Sequence, residues 1–254
     1  MTMENGMKAK RTLIIPGGSS RAAAGHDADF TALEEEGAKR GHAVLTFPHP
    51  GQQKRGGEKW QDGEFSSETS LDYAKSVRYA RNICRHYEPN RIIGRSYGCT
   101  VAVGLLGCGD DWVRHCEGAV LWGAWLPSMA ERLLGTPEKM QKDFCERLKQ
   151  AGTHATSDFF LRLPAIDNLV TQAQANLRLG RGTEDKYNYQ EELDFLGSTH
   201  RRTQPLYQSD VETCIEGLGH TVPPIPLGHP LYQKYLEYLD CLFCPFRQKD
   251  GITA

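Results

Sequence analysis

Four short apolar runs alternate with stretches of helical spacing, and this alternation limits the folds open to the chain. The runs are RTLIIP (11–16), HAVLTFP (42–48), NRIIG (90–94) and EGAVLWGAW (117–125). Between them, DFTALEEEGAKRG (29–41) carries apolar residues at helical spacing and stops at Gly41. SLDYAKSVRYARNICRHY (70–87) places Leu71, Ala74, Val77, Tyr79, Ala80 and Ile83 in an amphipathic pattern, and SYGCTVAVGLLGCG (96–109) reads as a helix of small residues. Strand, helix, strand in repetition needs crossover connections. The expected fold is therefore a mostly parallel, doubly wound α/β sheet with helices on both faces, whose ligands bind at the carboxyl ends of the strands.

Residues 127–190 interrupt the rhythm with three helical patterns and no clear strand, and are expected to form a helical insertion or cap. LDFLG (193–197) and VETCIEG (211–217) then read as strands resuming the sheet, and PLYQKYLEYLDCLFCPF (230–246) as a closing amphipathic helix. The core is accordingly expected over 1–126 and 191–254, with the cap over 127–190.

Composition excludes several classes of partner. The formal charge of −2 over 254 residues gives no excess to attract nucleic acid or anionic lipid. No run approaches the ~18 apolar residues of a membrane span, and the apolar run near the N-terminus is too short for a signal-peptide core. Eight cysteines scattered from 84 to 244 do not form the dense framework of a small secreted domain, so reduced cysteines and a cytoplasmic location are expected. Cys241 and Cys244 have CxxC spacing but no further ligand pair, so they read as packing residues, and no metal site is expected. Neither G-x-G-x-x-G after a strand nor Walker spacing occurs, and no nucleotide cofactor is expected.

Chemistry concentrates at Gly94-Arg95-Ser96-Tyr97-Gly98, where the NRIIG run meets a helix. A serine on so sharp a turn has a strained backbone, and glycines two residues to either side leave room for neighbouring chain. The turn lifts the hydroxyl to the top of the sheet and turns the N–H groups of the helix start toward it, where negative charge can develop. Pro16-Gly17-Gly18-Ser19 directly follows the first strand, and Gly217-Leu218-Gly219-His220 follows the last. Histidine suits the exchange of a hydroxyl proton near neutrality, and of the nine histidines His220 fits that position best. His49, in FPHPGQ, reads as a turn residue near the pocket mouth. Cys99 reads as lining the helix after the serine.

Together PGGSS, FPHPGQ, GRSYG, GAVLWGAW and GLGH resemble the α/β-hydrolase superfamily over nearly the whole chain. The resemblance implies Ser96 as nucleophile, His220 as general base and then acid, and the backbone N–H groups of Gly18 and Tyr97 as oxyanion donors. It also implies a carboxylate after the penultimate strand, a few residues beyond a glycine. With LDFLG as that strand, LDFLGSTHRRT puts His200 there instead. Asp194 and Asp210 fall at the wrong edge of the sheet, Glu131 is the first acid after GAVLWGAW, and Asp158 or Asp167 could reach in from the cap; the triad acid is unassigned. The activity implied is a cofactor-free serine esterase or thioesterase working on a small-molecule acyl substrate, its acyl pocket roofed by Phe159, Phe160, Leu161 and Leu163. A catalytically degenerate ligand-binding protein and an acyltransferase are the alternatives.

Overall fold

The computed structural model describes residues 10–18, 28–52, 70–124, 163–185, 190–220 and 222–246, with single positions between 142 and 159. Six strands, β1 (Lys10–Ile15), β2 (His42–Thr46), β3 (Arg91–Arg95), β4 (Gly118–Trp122), β5 (Asn176–Gly182) and β6 (Ser209–Ile215), form one sheet in the order β2-β1-β3-β4-β5-β6. Every pairing is parallel. Parallel strands covered on both faces read as unbroken apolar runs, and β3 and β4 are buried along their whole length.

Helices α1 (Ala28–Lys39) and α6 (Tyr232–Phe243) cover one face of the sheet. On the other lie α2 (Tyr73–Tyr87), α3 (Tyr97–Leu106), the short α4 (Ile166–Val170) and α5 (Gln190–Thr203). On the first face Ile14, Ile93, Val120 and Trp122 pack against Phe30, Tyr238 and Leu242. On the second, Leu13, Ile92, Ala119 and Leu121 pack against α3 and its neighbours. This alternation along each strand is the two-residue period that sandwiches a sheet between two helical layers.

Two expectations require correction. First, a strand lies inside the segment expected to be wholly helical: β5 occupies residues 176–182, so these belong to the core sheet, and most of the remaining expected cap falls outside the described residues. Arg178 masks the apolar run in NLRLGRG, yet it is buried in the strand. Its guanidinium donates to the carbonyls of Cys241, Cys244 and Pro245 at the end of α6 and lies 4.9 Å from the centre of the Phe246 ring. Arg91 of β3 donates to Leu242 O and sits 5.0 Å from the same ring. The orphan carbonyls of a helix end thus accept hydrogen bonds from two arginines inside a sheet, and Glu117 also pairs with Arg91 at 3.2 Å.

Second, LDFLG is helix rather than strand. In α5 Leu193, Leu196, Gly197 and His200 are buried at the i, i+3, i+4, i+7 spacing of a helix face, with Thr199 buried beside them, whereas Phe195 is exposed. Glu191 and Glu192 in its first turn and His200, Arg201 and Arg202 in its last suit the helix dipole.

The strand order reverses between β1 and β3. β2 lies on one side of β1 and β3 on the other, so the connections leaving β1 and β3 diverge at their carboxyl ends, the usual ligand position in such sheets. PGG follows β1, and Ser96 follows β3. No helix among the described residues is long and apolar enough to cross a membrane.

Candidate active site

Ser96 forms the turn between β3 and α3 with φ 52° and ψ −122°, one of two non-glycine residues at positive φ among those described. Such a conformation is strained for an L-residue and persists only where surrounding structure enforces it. The enforcement is visible on both sides. A Cβ at Gly94 would lie 2.8 Å from Cys99 Cα and from Gly98 O, and one at Gly98 would overlap the carbonyl oxygens of Ile15 and Pro16. The two glycines therefore let α3 start directly above β1, as their spacing predicts. Ser96 N–H donates to Trp122 O at 3.0 Å, tying the turn to the end of β4.

His220 follows β6 and its short turn. Its Nδ1 is 2.9 Å from Oδ2 of Asp185, whose side chain is fully buried. A carboxylate only accepts, so Nδ1 is the donor, and in the neutral imidazole Nε2 is the nitrogen with the free lone pair. Gly123 lies beneath this pair, and a Cβ there would stand 2.9 Å from Nδ1 and 3.3 Å from Asp185 Oδ2. Trp122 O holds the Ser96 turn and the next residue, Gly123, abuts the imidazole, so the Ser96 turn and His220 are both fixed against the end of β4.

Sequence reasoning missed Asp185, although its signal is present. It stands three residues beyond Gly182 at the end of β5, where the family pattern wants its acid once β5 is taken as the penultimate strand. The loops bearing Asp185 and His220 are laced together. Thr183 N donates to Ile215 O, Glu184 N to Leu218 O and Gly217 N to Thr183 Oγ1, and Gly182 lets the Leu218 carbonyl approach where a Cβ would overlap it.

His200 is thereby removed from the acid position. It lies fully buried in the last turn of α5, donates from Nε2 to Ala173 O at 3.0 Å, and accepts at Nδ1 from Ser209 Oγ at 2.6 Å. Burial lowers its pKa. It pins α5 to the start of β6, at the rim of the sheet opposite Ser96. Asp194 is exposed on α5 and accepts from Gln190, Asp210 lies in β6 and Asp167 in α4; Glu131 and Asp158 lie outside the described residues.

Gly18 is buried in the turn after β1, and its missing Cβ would sit 3.6 Å from Tyr97 Cβ, so the two expected oxyanion donors are neighbours. The Tyr97 hydroxyl donates to Ser76 Oγ at 3.0 Å, and its ring meets Phe159 edge-on at 5.3 Å between centres. Phe159 and Leu163 are buried, while Phe160 and Leu161 lie outside the described residues. Cys99 is fully buried, and burial drives its thiol far above the usual range, which leaves it protonated and inert. Cys241 is buried and Cys244 exposed; neither is in a disulfide, and no cluster of three or more metal-ligating side chains occurs among the described residues.

No protein-family model matches the chain, and no curated sequence matches it significantly. Solved structures do. DcsB in complex with its substrate analogue superposes with a TM-score of 0.60 at 12% identity, covering 92% of this chain and 89% of that one. A monoacylglycerol lipase from Paleococcus ferrophilus gives 0.57 at 16% identity over 91% and 94% of the two chains. An esterase from Pyrococcus furiosus gives 0.54 at 17% identity over 92% and 80%. With the strand order, the strained serine turn and the loops after β1, β5 and β6, these similarities establish that the chain has the α/β-hydrolase fold.

Proposed function

We propose that the protein is a serine hydrolase that cleaves a carboxylic ester or thioester through an acyl-enzyme on Ser96. The observation that carries this reading is the fully buried Asp185 carboxylate at 2.9 Å from His220 Nδ1, beside the strained turn that holds Ser96. Asp185 fixes the tautomer in which Nε2 faces the site as a base and stabilises the imidazolium that forms when Nε2 takes the serine proton. Ser96 Oγ then attacks the acyl carbon, and the N–H groups of Gly18 and Tyr97 receive the developing oxyanion. The imidazolium returns its proton to the leaving alcohol or thiol. Water, deprotonated by the same Nε2, releases the acid and restores the serine. Phe159, whose ring meets that of Tyr97, and the buried Leu163 suit an apolar acyl chain.

A catalytically degenerate member of the fold is the reading that His200 at the acid position would favour, and the hydrogen bonds of His200 to Ser209 and Ala173 at the opposite rim support the hydrolase reading instead. The test is turnover of p-nitrophenyl esters and labelling by a fluorophosphonate. Both are expected for the wild-type chain and neither for Ser96→Ala, whose thermal unfolding stays close to wild type. Equal turnover by the two proteins would reject the reading.

A further inference from the structure

The turn after β1 is held from outside by two side chains of the loop after β2 that the reaction above does not use. His49 is fully buried and its Nε2 lies 2.8 Å from Pro16 O. A carbonyl only accepts, so Nε2 carries the proton. The amide of Gln52, also buried, has a fixed orientation: Oε1 accepts from His49 N at 2.9 Å, and Nε2 donates to both Gly17 O and Gly18 O at 3.0 Å. Three successive carbonyls of Pro16-Gly17-Gly18 are thus claimed by His49 and Gln52.

Peptide planarity gives this its consequence. In a trans peptide the C=O of one residue and the N–H of the next point in opposite directions, and no cis peptide occurs among the described residues. Pulling Gly17 O toward Gln52 therefore aims Gly18 N–H directly away from it. On its far side the turn faces the elbow: a Cβ at Gly17 would lie 3.1 Å from Ser96 Cβ and 3.6 Å from Ser96 Oγ. The second donor residue is braced by the same histidine, whose ring meets the Tyr97 ring edge-on at 4.9 Å between centres. Glycines at 17 and 18 permit close approach but supply no rigidity, so the peptide plane needs an external restraint.

We propose that Gln52 and His49 are positioning residues that orient the Gly17–Gly18 peptide, and with it the Gly18 N–H, toward the oxyanion formed at Ser96. The proposal rests on the serine-hydrolase reading. Gln52→Met keeps the length of the side chain and removes the amide, freeing the peptide to rotate. Because the oxyanion exists only in the transition state, kcat per active site should fall about 10- to 100-fold with KM within about twofold, somewhat less than the loss of a whole donor. The rate of phosphonylation by a fluorophosphonate should fall by a similar factor. His49→Gln, which retains a donor for Pro16 O, should keep more activity than His49→Leu.

Counting active sites by end-point labelling separates positioning from folding. A purely structural role would reduce the number of sites and the melting temperature while leaving kcat per site at the wild-type value. That result in Gln52→Met would overturn the proposal, as would equal per-site rates for His49→Gln and His49→Leu. A wild-type chain that neither labels nor turns over esters would instead refute the serine-hydrolase reading itself.

Discussion

Gly123→Ala should damage catalysis through a single methyl group. The position has φ +61°, so alanine there carries a conformational cost of about 1–2 kcal/mol. The methyl would also stand 2.9 Å from His220 Nδ1, 3.0 Å from Cε1 and 3.3 Å from Asp185 Oδ2. Comfortable contact begins near ~3.5 Å, so the imidazole must retreat by about 0.6 Å. Asp185 has no exposed side-chain surface and cannot readily follow, so the 2.9 Å hydrogen bond must lengthen or tilt. A displacement of about 1 Å in a reacting group can cost about 10²-fold, which puts the expected loss of kcat at about 10- to 100-fold. The melting temperature should fall by only a few degrees. Gly109→Ala is the control, since Gly109 has φ +69° with nothing within 4 Å of the added Cβ. It should show a comparable thermal penalty and wild-type turnover. Steady-state hydrolysis of p-nitrophenyl butyrate alongside thermal melts of both variants decides the matter. Equal kcat in the two would mean that the imidazole beside Gly123 takes no part in the reaction.

Asp185→Asn preserves shape while removing the charge that stabilises the imidazolium, and kcat should drop by about 10³- to 10⁴-fold, as in serine proteases lacking their aspartate. Asp194→Asn on the exposed face of α5 should match wild type, and a reversed ranking would return the acid to that helix. Stability should fall as the medium is acidified from about pH 6.5 toward 4. Burial lowers the pKa of His49 and of His42 to about 4 and that of His200 below its usual value, so across this window the unfolded chain binds more protons than the folded one. For His49 alone, a fall from 6.5 to about 4 at about 1.4 kcal/mol per pH unit is worth about 3 kcal/mol. Urea midpoints measured at pH 7 and 4.5 check this, and an unchanged midpoint would contradict it.

Local chemistry accounts for what the sequence reveals of this site. Ser96 is legible because a strained strand-to-helix turn needs small neighbours at fixed offsets, and His220 because a base must follow a strand at the same rim. Asp185 is hidden because the strand before it contains two arginines. What makes Arg178 a permissible interior residue is a helix end more than sixty positions later in the chain, which no window over NLRLGRG can contain. The misreading of LDFLG follows from that loss. With β5 unrecognised, a strand is sought downstream, and short apolar alternation is accepted although Leu193, Leu196, Gly197 and His200 already mark one helical face. The restraint of Pro16-Gly17-Gly18 by His49 and Gln52 is non-local in the same way: FPHPGQ reads as a turn and becomes a bracket only when β2 lies beside β1.

The lacing of the β5 and β6 loops has a mechanical corollary. Asp185 and His220 follow adjacent strands whose loops are joined by backbone hydrogen bonds, whereas Ser96 follows β3, two strands from β5 and three from β6. A shear of the sheet between β3 and β5 would carry Asp185 and His220 as one piece, with their hydrogen bond intact and only their distance to Ser96 changed. On the serine-hydrolase reading, sliding one half against the other would silence and revive turnover with no bond inside the pair ever broken.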